Sequence, residues 1–91
     1  MLADAAVVPY SIIKDPASVV LPLKKLPSSI REKITDAIDG LQSDPRPPKH
    51  SVIPGIASIP TLKLEVAQGW YLMYQVDDRQ KKVCILLVGR F

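Results

Sequence analysis

The stretch "LKLEVAQGWYLMYQVDD", residues 62–78, is where the chain takes up a period of two. Leu62, Leu64 and Val66 alternate with Lys63, Glu65 and Ala67, the pattern of a strand with one buried face. After a turn around Gln68 and Gly69, Leu72, Tyr74 and Val76 fall on one side of a second strand, and Tyr71, Met73 and Gln75 on the other. "DDRQ", Asp77 to Gln80, then turns the chain into "KKVCILLVGRF", residues 81–91. Three sequential strands joined by short turns make an antiparallel meander.

The third of these strands is apolar at both parities. Val83, Ile85 and Leu87 alternate with Cys84, Leu86 and Val88, which is how a strand buried on both faces reads. Helices upstream can cover only one face of a sheet. An uncovered apolar strip is therefore expected at Cys84, Leu86 and Val88, with Phe91 at its end. Strips of that kind mark partner sites, here for another protein or a second copy of the chain.

Upstream of the meander, "SSIREKITDAIDGLQSD" places Ile30, Ile34, Ala37, Ile38 and Leu41 at helical period. Ser29 and Glu32 have the spacing of a capping box. The opposite face mixes Arg31, Lys33, Asp36 and Asp39, so this is an amphipathic core helix. Before it, "DPASVVLPLKKL" predicts a short helix capped by Asp15, with Pro16 in its first position and Pro22 interrupting it. "VVPYSIIK", Val7 to Lys14, reads as a first strand, with Pro9 tolerable at an edge. Between the long helix and the meander lies the Pro-rich connection "DPRPPKHSVIPGIASIP", with a short extended piece at Ser51 to Ile53.

A chain of 91 residues accommodates one domain, 1–91, and its composition, 47% hydrophobic and 23% charged, is that of a folded protein. No apolar run reaches the ~20 residues of a membrane span, and the acidic, short-cored N-terminus lacks the form of a signal peptide. A cytoplasmic location and no membrane partner are expected. Charge is uneven: residues 1–45 carry five basic side chains against six acidic ones, residues 46–91 seven against three. A basic half suits RNA or DNA, and equally an acidic protein segment.

One Cys and one His cannot build a four-ligand zinc site, and Cys84 reads as a small core residue. His50 sits in the Pro-rich loop, with nothing to bring it to a nucleophile. The glycines are scattered and form no phosphate loop. Neither a metal nor a cofactor is expected. What remains is Lys63, Trp70, Tyr71, Tyr74 and Arg90 on or beside the meander. Cleavage of RNA by its own 2′-hydroxyl requires that hydroxyl to be oriented and the phosphate charge stabilised, which Lys, Arg and Tyr can do without a metal. Aromatic rings can stack on splayed bases, although residues such as Trp70 and Tyr74 more often belong to a core.

"LKKLPSSIREKITDAIDGLQSDPRPP", "LKLEVAQGWYLMYQVDD" and "VCILLVGRF" together resemble the RelE/ParE superfamily of toxins from bacterial type II toxin-antitoxin systems. The likeness runs from about Tyr10 to Phe91. It implies an α+β fold of order β-α-α-β-β-β, two N-terminal helices packed on one face of a curved antiparallel sheet, with the C-terminal helix absent. It implies a RelE-like, ribosome-dependent mRNA endoribonuclease or, alternatively, a ParE-like DNA gyrase inhibitor or a weakened toxin acting only by antitoxin binding. The partners would be a cognate antitoxin, with the ribosome and mRNA, or gyrase. Lys63, Arg90, Tyr71 and Tyr74 are the candidate catalytic residues, and Lys24, Lys25, Arg46, Lys49 and Trp70 the candidate RNA contacts. Glu65 stands where the family carries a second basic residue, and Tyr71 where it carries Arg.

Overall fold

The computed structural model describes residues 9–54, 58–67 and 69–90. Its elements are β1 (Ser11–Lys14), a π-helical turn (Pro16–Val20) running into α1 (Leu21–Lys24), α2 (Ser28–Gly40), β2 (Ser51–Ile53), β3 (Thr61–Ala67), β4 (Trp70–Asp77) and β5 (Lys82–Arg90). The five strands form one sheet in the order β1-β5-β4-β3-β2. The α+β architecture with two N-terminal helical segments is the expected one. The sheet is mixed, however, because β1 pairs parallel to β5, and it gains a strand at the far edge from the extended piece of the Pro-rich connection. Val7 and Val8 of the first strand reading lie outside the described residues.

Local chemistry accounts for the helical segments. The Asp15 carboxylate accepts from the Ser18 backbone N–H at 2.8 Å and the Ser18 hydroxyl at 2.7 Å, and Pro16 occupies the first turn, where no N–H is needed. Pro22 has no N–H with which to extend an α ladder, and just before it the chain winds wider, Leu21 N–H donating to the Pro16 carbonyl. The expected capping box is absent. Pro27, extended at φ −55° and ψ 147°, flanks α2, its carbonyl accepts from Arg31 N–H at 2.9 Å, and Ser29 falls inside the first turn. Proline takes the cap position because its ring already holds the φ that entry into a helix requires.

One apolar core joins the layers. Val19 and Leu23, with Ile34, Ile38 and Leu41, bury against Leu62, Leu64, Leu72, Tyr74, Val76, Val83 and Ile85. Ile30 and Ala37 pack at its margin, as their helical period requires. The other face of the sheet, bearing Lys63, Tyr71, Met73 and Gln75, lies away from the helices.

A β-bulge corrects the reading of the last strand. Tyr74 pairs with Ile85 and Met73 with Leu87, which leaves Leu86 as the extra residue. Beyond it the alternation reverses: Val88 lies opposite buried Leu72 and packs on the core, and Leu87 lies opposite Met73 on the open face. Cys84, Leu86 and Val88 therefore do not share one strip. Cys84 pairs with Gln75 on the open face, and exposed Leu86 gives its carbonyl to the Ser18 hydroxyl. The open face keeps Cys84 and carries Ile13, Met73 and Leu87 in place of Leu86 and Val88. Phe91 lies outside the described residues.

Candidate functional site

Three cross-strand rows organise the end of the sheet at the β3–β4 turn, which Gly69 makes at φ 83°. Lys63 pairs with Ser51 on one side and Met73 on the other. Tyr71 pairs with Glu65 and with Gly89. Trp70 pairs with Ala67 and with Arg90. A second irregularity, between Glu65 and Ala67, brings these last two rows together at the turn.

On the open face the Lys63 ammonium stands 4.7 Å from the Tyr71 ring centroid, a cation–π pair. The ring lies over Gly89, where a Cβ would come within 2.6 Å of Tyr71 Cε1. Glycine is thus the residue that lets the phenol lie flat on β5. Because successive residues of a strand alternate faces, Trp70 turns to the other side. There its ring packs at the margin of the core, with the exposed Arg90 guanidinium 5.5 Å from its centroid. Lys49 joins this end of the sheet, lining a shallow cleft of about 280 Å³ with Glu65, Val66 and Ala67.

The candidate catalytic residues are therefore brought together only in part. Lys63 and Tyr71 meet, and Arg90 sits beyond them with Trp70. Tyr74 is separate: it is fully buried, its hydroxyl donates to the Pro45 carbonyl at 3.0 Å, and burial pushes its phenol up to about 12. Its alternation with Tyr71 along β4 places it among the helices, where it secures the Pro-rich connection. Among the candidate RNA contacts, Lys24 and Lys25 are exposed at the end of α1 and belong to none of these strands.

Arg46 lies at the opposite end of the sheet in a cluster that sequence reading missed. Its guanidinium grips Asp78 with two bonds, of 3.1 and 2.8 Å, and the Tyr10 hydroxyl donates to the same carboxylate at 2.6 Å. These donors hold Asp78 at about 2, well below the usual carboxylate range, and the pairing raises Arg46. Lys81, held at φ 56° by the turn, lies 5.0 Å from the Tyr10 ring centroid. Asp77 shapes that turn, accepting the Arg79 and Gln80 backbone N–H groups at 3.0 and 3.1 Å. The only hint in the sequence was the doubled acid of "DDRQ", which identifies a turn but not its partners. Arg46, Asp78 and Arg79 border an open cleft of about 880 Å³. Among the described residues no group of His, Cys, Asp or Glu could hold a metal ion, and no helix is long and apolar enough to cross a membrane.

No protein-family model matches the chain, and no curated protein matches it. Solved structures do. A chain of the archaeal RelE-RelB complex from Pyrococcus horikoshii superposes with a TM-score of 0.79 at 19% identity, over 90% of this chain and 94% of that one. A chain of the RelBE2 toxin-antitoxin complex from Mycobacterium tuberculosis gives 0.70 at 23% identity, over 92% and 100%. The isolated RelE toxin of E. coli gives 0.67 at 26% identity, over 89% and 83%. The expected resemblance to RelE toxins thus holds in the fold, across nearly the whole of both chains.

Proposed function

We propose, from its RelE fold, that this chain is the toxin of a type II toxin-antitoxin pair and acts on ribosome-bound mRNA as a metal-independent endoribonuclease. The observation that carries the chemistry is the Lys63–Tyr71 pair, a fixed cation and a phenol side by side on the sheet face that the helices leave open. In the reaction the 2′-oxygen of one nucleotide bonds to the adjacent phosphorus as the bond from phosphorus to the 5′-oxygen breaks. A 2′,3′-cyclic phosphate and a 5′-hydroxyl result, with the 2′-hydroxyl proton replaced on the leaving oxygen. Lys63 supplies positive charge to the phosphate oxygens as charge builds there, and the Tyr71 hydroxyl hydrogen-bonds within the same site. The ribosome presents the strand, which suits a site with so few groups of its own.

The partner that restrains such a toxin is a cognate antitoxin. The open-face residues Ile13, Met73, Cys84 and Leu87 supply apolar area for it, or for a second copy of the chain. The setting is the cytoplasm, where ribosomes and antitoxin are found together.

Glu65 favours a second reading. It lies directly across from Tyr71 and brings negative charge to the place where phosphate would sit. On that reading the chain is a gyrase inhibitor or an antitoxin-binding protein without nuclease activity. Purified ribosomes translating a defined mRNA, with cleavage mapped by primer extension, separate the two. Discrete ribosome-dependent cuts are expected, reduced on the order of 10²-fold by Lys63→Ala, the scale for removing one stabilising group. Intact mRNA in the presence of folded protein would overturn the nuclease, and a DNA supercoiling assay would then test gyrase.

A further inference from the structure

The Trp70–Arg90 pair lies one row from Tyr71 and three from Lys63 but on the other side of the sheet, so it cannot share a phosphate with them in the way the sequence suggests. Its own chemistry is different. Packing on the core orients the indole, and the guanidinium lies 5.5 Å from its centroid in a cation–π pair. Arg90 is exposed, so a planar group can approach it from the side away from the indole. A guanidinium plane backed by an aromatic ring accepts a nucleobase as the third layer of a stack, while its N–H groups remain available to phosphate or base acceptors.

Charge favours the same ligand. Lys49, Lys63 and Arg90 lie at this end of the sheet, with Glu65 among them. The arginine at the opposite end, Arg46, is instead committed to Asp78. We infer that Trp70 and Arg90 form a base-stacking clamp for single-stranded RNA, which holds a purine at the end of the sheet on the face opposite Lys63 and Tyr71. The inference rests on the RNA-directed reading of that site. It makes Arg90 a base-binding residue and gives it no part in the bond-breaking step.

Trp70 is the sole tryptophan of the chain, so its fluorescence reports on this clamp alone. The wild-type protein should be titrated with oligoadenylate, oligouridylate and inorganic tripolyphosphate in the absence of ribosomes. A saturable emission change is expected with oligoadenylate, a weaker one with oligouridylate, and none with tripolyphosphate. Arg90→Lys keeps the charge but lacks the plane, and should bind oligoadenylate roughly tenfold more weakly, the scale of one lost stacking contact, with an unchanged melting temperature. No emission change with either RNA overturns the clamp without recourse to a variant. Equal affinity for Arg90→Lys and wild type overturns it as well, since charge alone would then suffice. The two proposals fail separately: an emission response in a protein that leaves ribosome-bound mRNA intact keeps the clamp and removes the nuclease, and mRNA cleavage with no emission response does the reverse.

Discussion

Gly89 and Tyr71 set the chemistry of the open face through a steric condition. A Cβ at position 89 would come within 2.6 Å of the Tyr71 ring, inside any real contact distance, so Gly89→Ala must displace the phenol from beneath Lys63. Overpacking of this kind costs about 1–3 kcal/mol, readable as a lower urea midpoint, and mRNA cleavage should fall with it. Tyr74 gives the contrasting case three residues along the same strand. Tyr74→Phe removes the hydroxyl that satisfies the Pro45 carbonyl and should cost on the order of 1 kcal/mol in urea unfolding. It should leave cleavage unchanged, because the ring points into the core. A marked loss of cleavage with unchanged stability would return Tyr74 to the catalytic set.

At the scale of elements, two helix starts that look alike in sequence behave differently. Asp15 accepts two hydrogen bonds from Ser18, whereas Ser29 lies within α2 and caps nothing. Thermal melts should therefore show Asp15→Ala lowering the melting temperature and Ser29→Ala leaving it nearly unchanged; the opposite order would mean that α2 begins at Ile30, two residues later than Ser28. The bulge at Leu86 has a larger consequence than either cap. One extra residue in β5 sends Val88 to the core and Leu87 to the open face, so the apolar surface offered to a partner is defined by pairing with β4. Apolar residues at both parities disguise the switch, because either register reads as a buried strand.

For the molecule as a whole, Asp78 ties together three parts of the chain that are distant in sequence: Tyr10 before β1, Arg46 after α2, and its own β4–β5 turn. Its carboxylate is held at about 2 against an ordinary 3.8. The depressed value means that the folded state favours the ionised form. The resulting stability is fully present above about pH 3.8 and is lost as pH falls through the folded value near 2. Melting temperatures of wild type and Asp78→Asn should therefore differ at neutral pH and converge below pH 3.8, and the gap should shrink with added salt because the pair is exposed. A gap that persists unchanged to pH 2 would mean that the clasp does not depend on the charge of Asp78. Local periodicity determined a good deal here: the helical stripe from Ile30 to Leu41, the two-residue alternation of β3 and β4, the Asp15 cap, and through them the α+β order that resembles RelE toxins. Those features follow from interactions between residues near each other in the chain, which a single sequence displays. The parallel pairing of β1 with β5, the reversal at Leu86, the separation of Arg90 from the Lys63–Tyr71 pair, and the grip of Arg46 on Asp78 were decided only in the tertiary structure. Each depends on the register between strands or on contacts across dozens of residues, and neither period nor composition encodes which partner lies opposite.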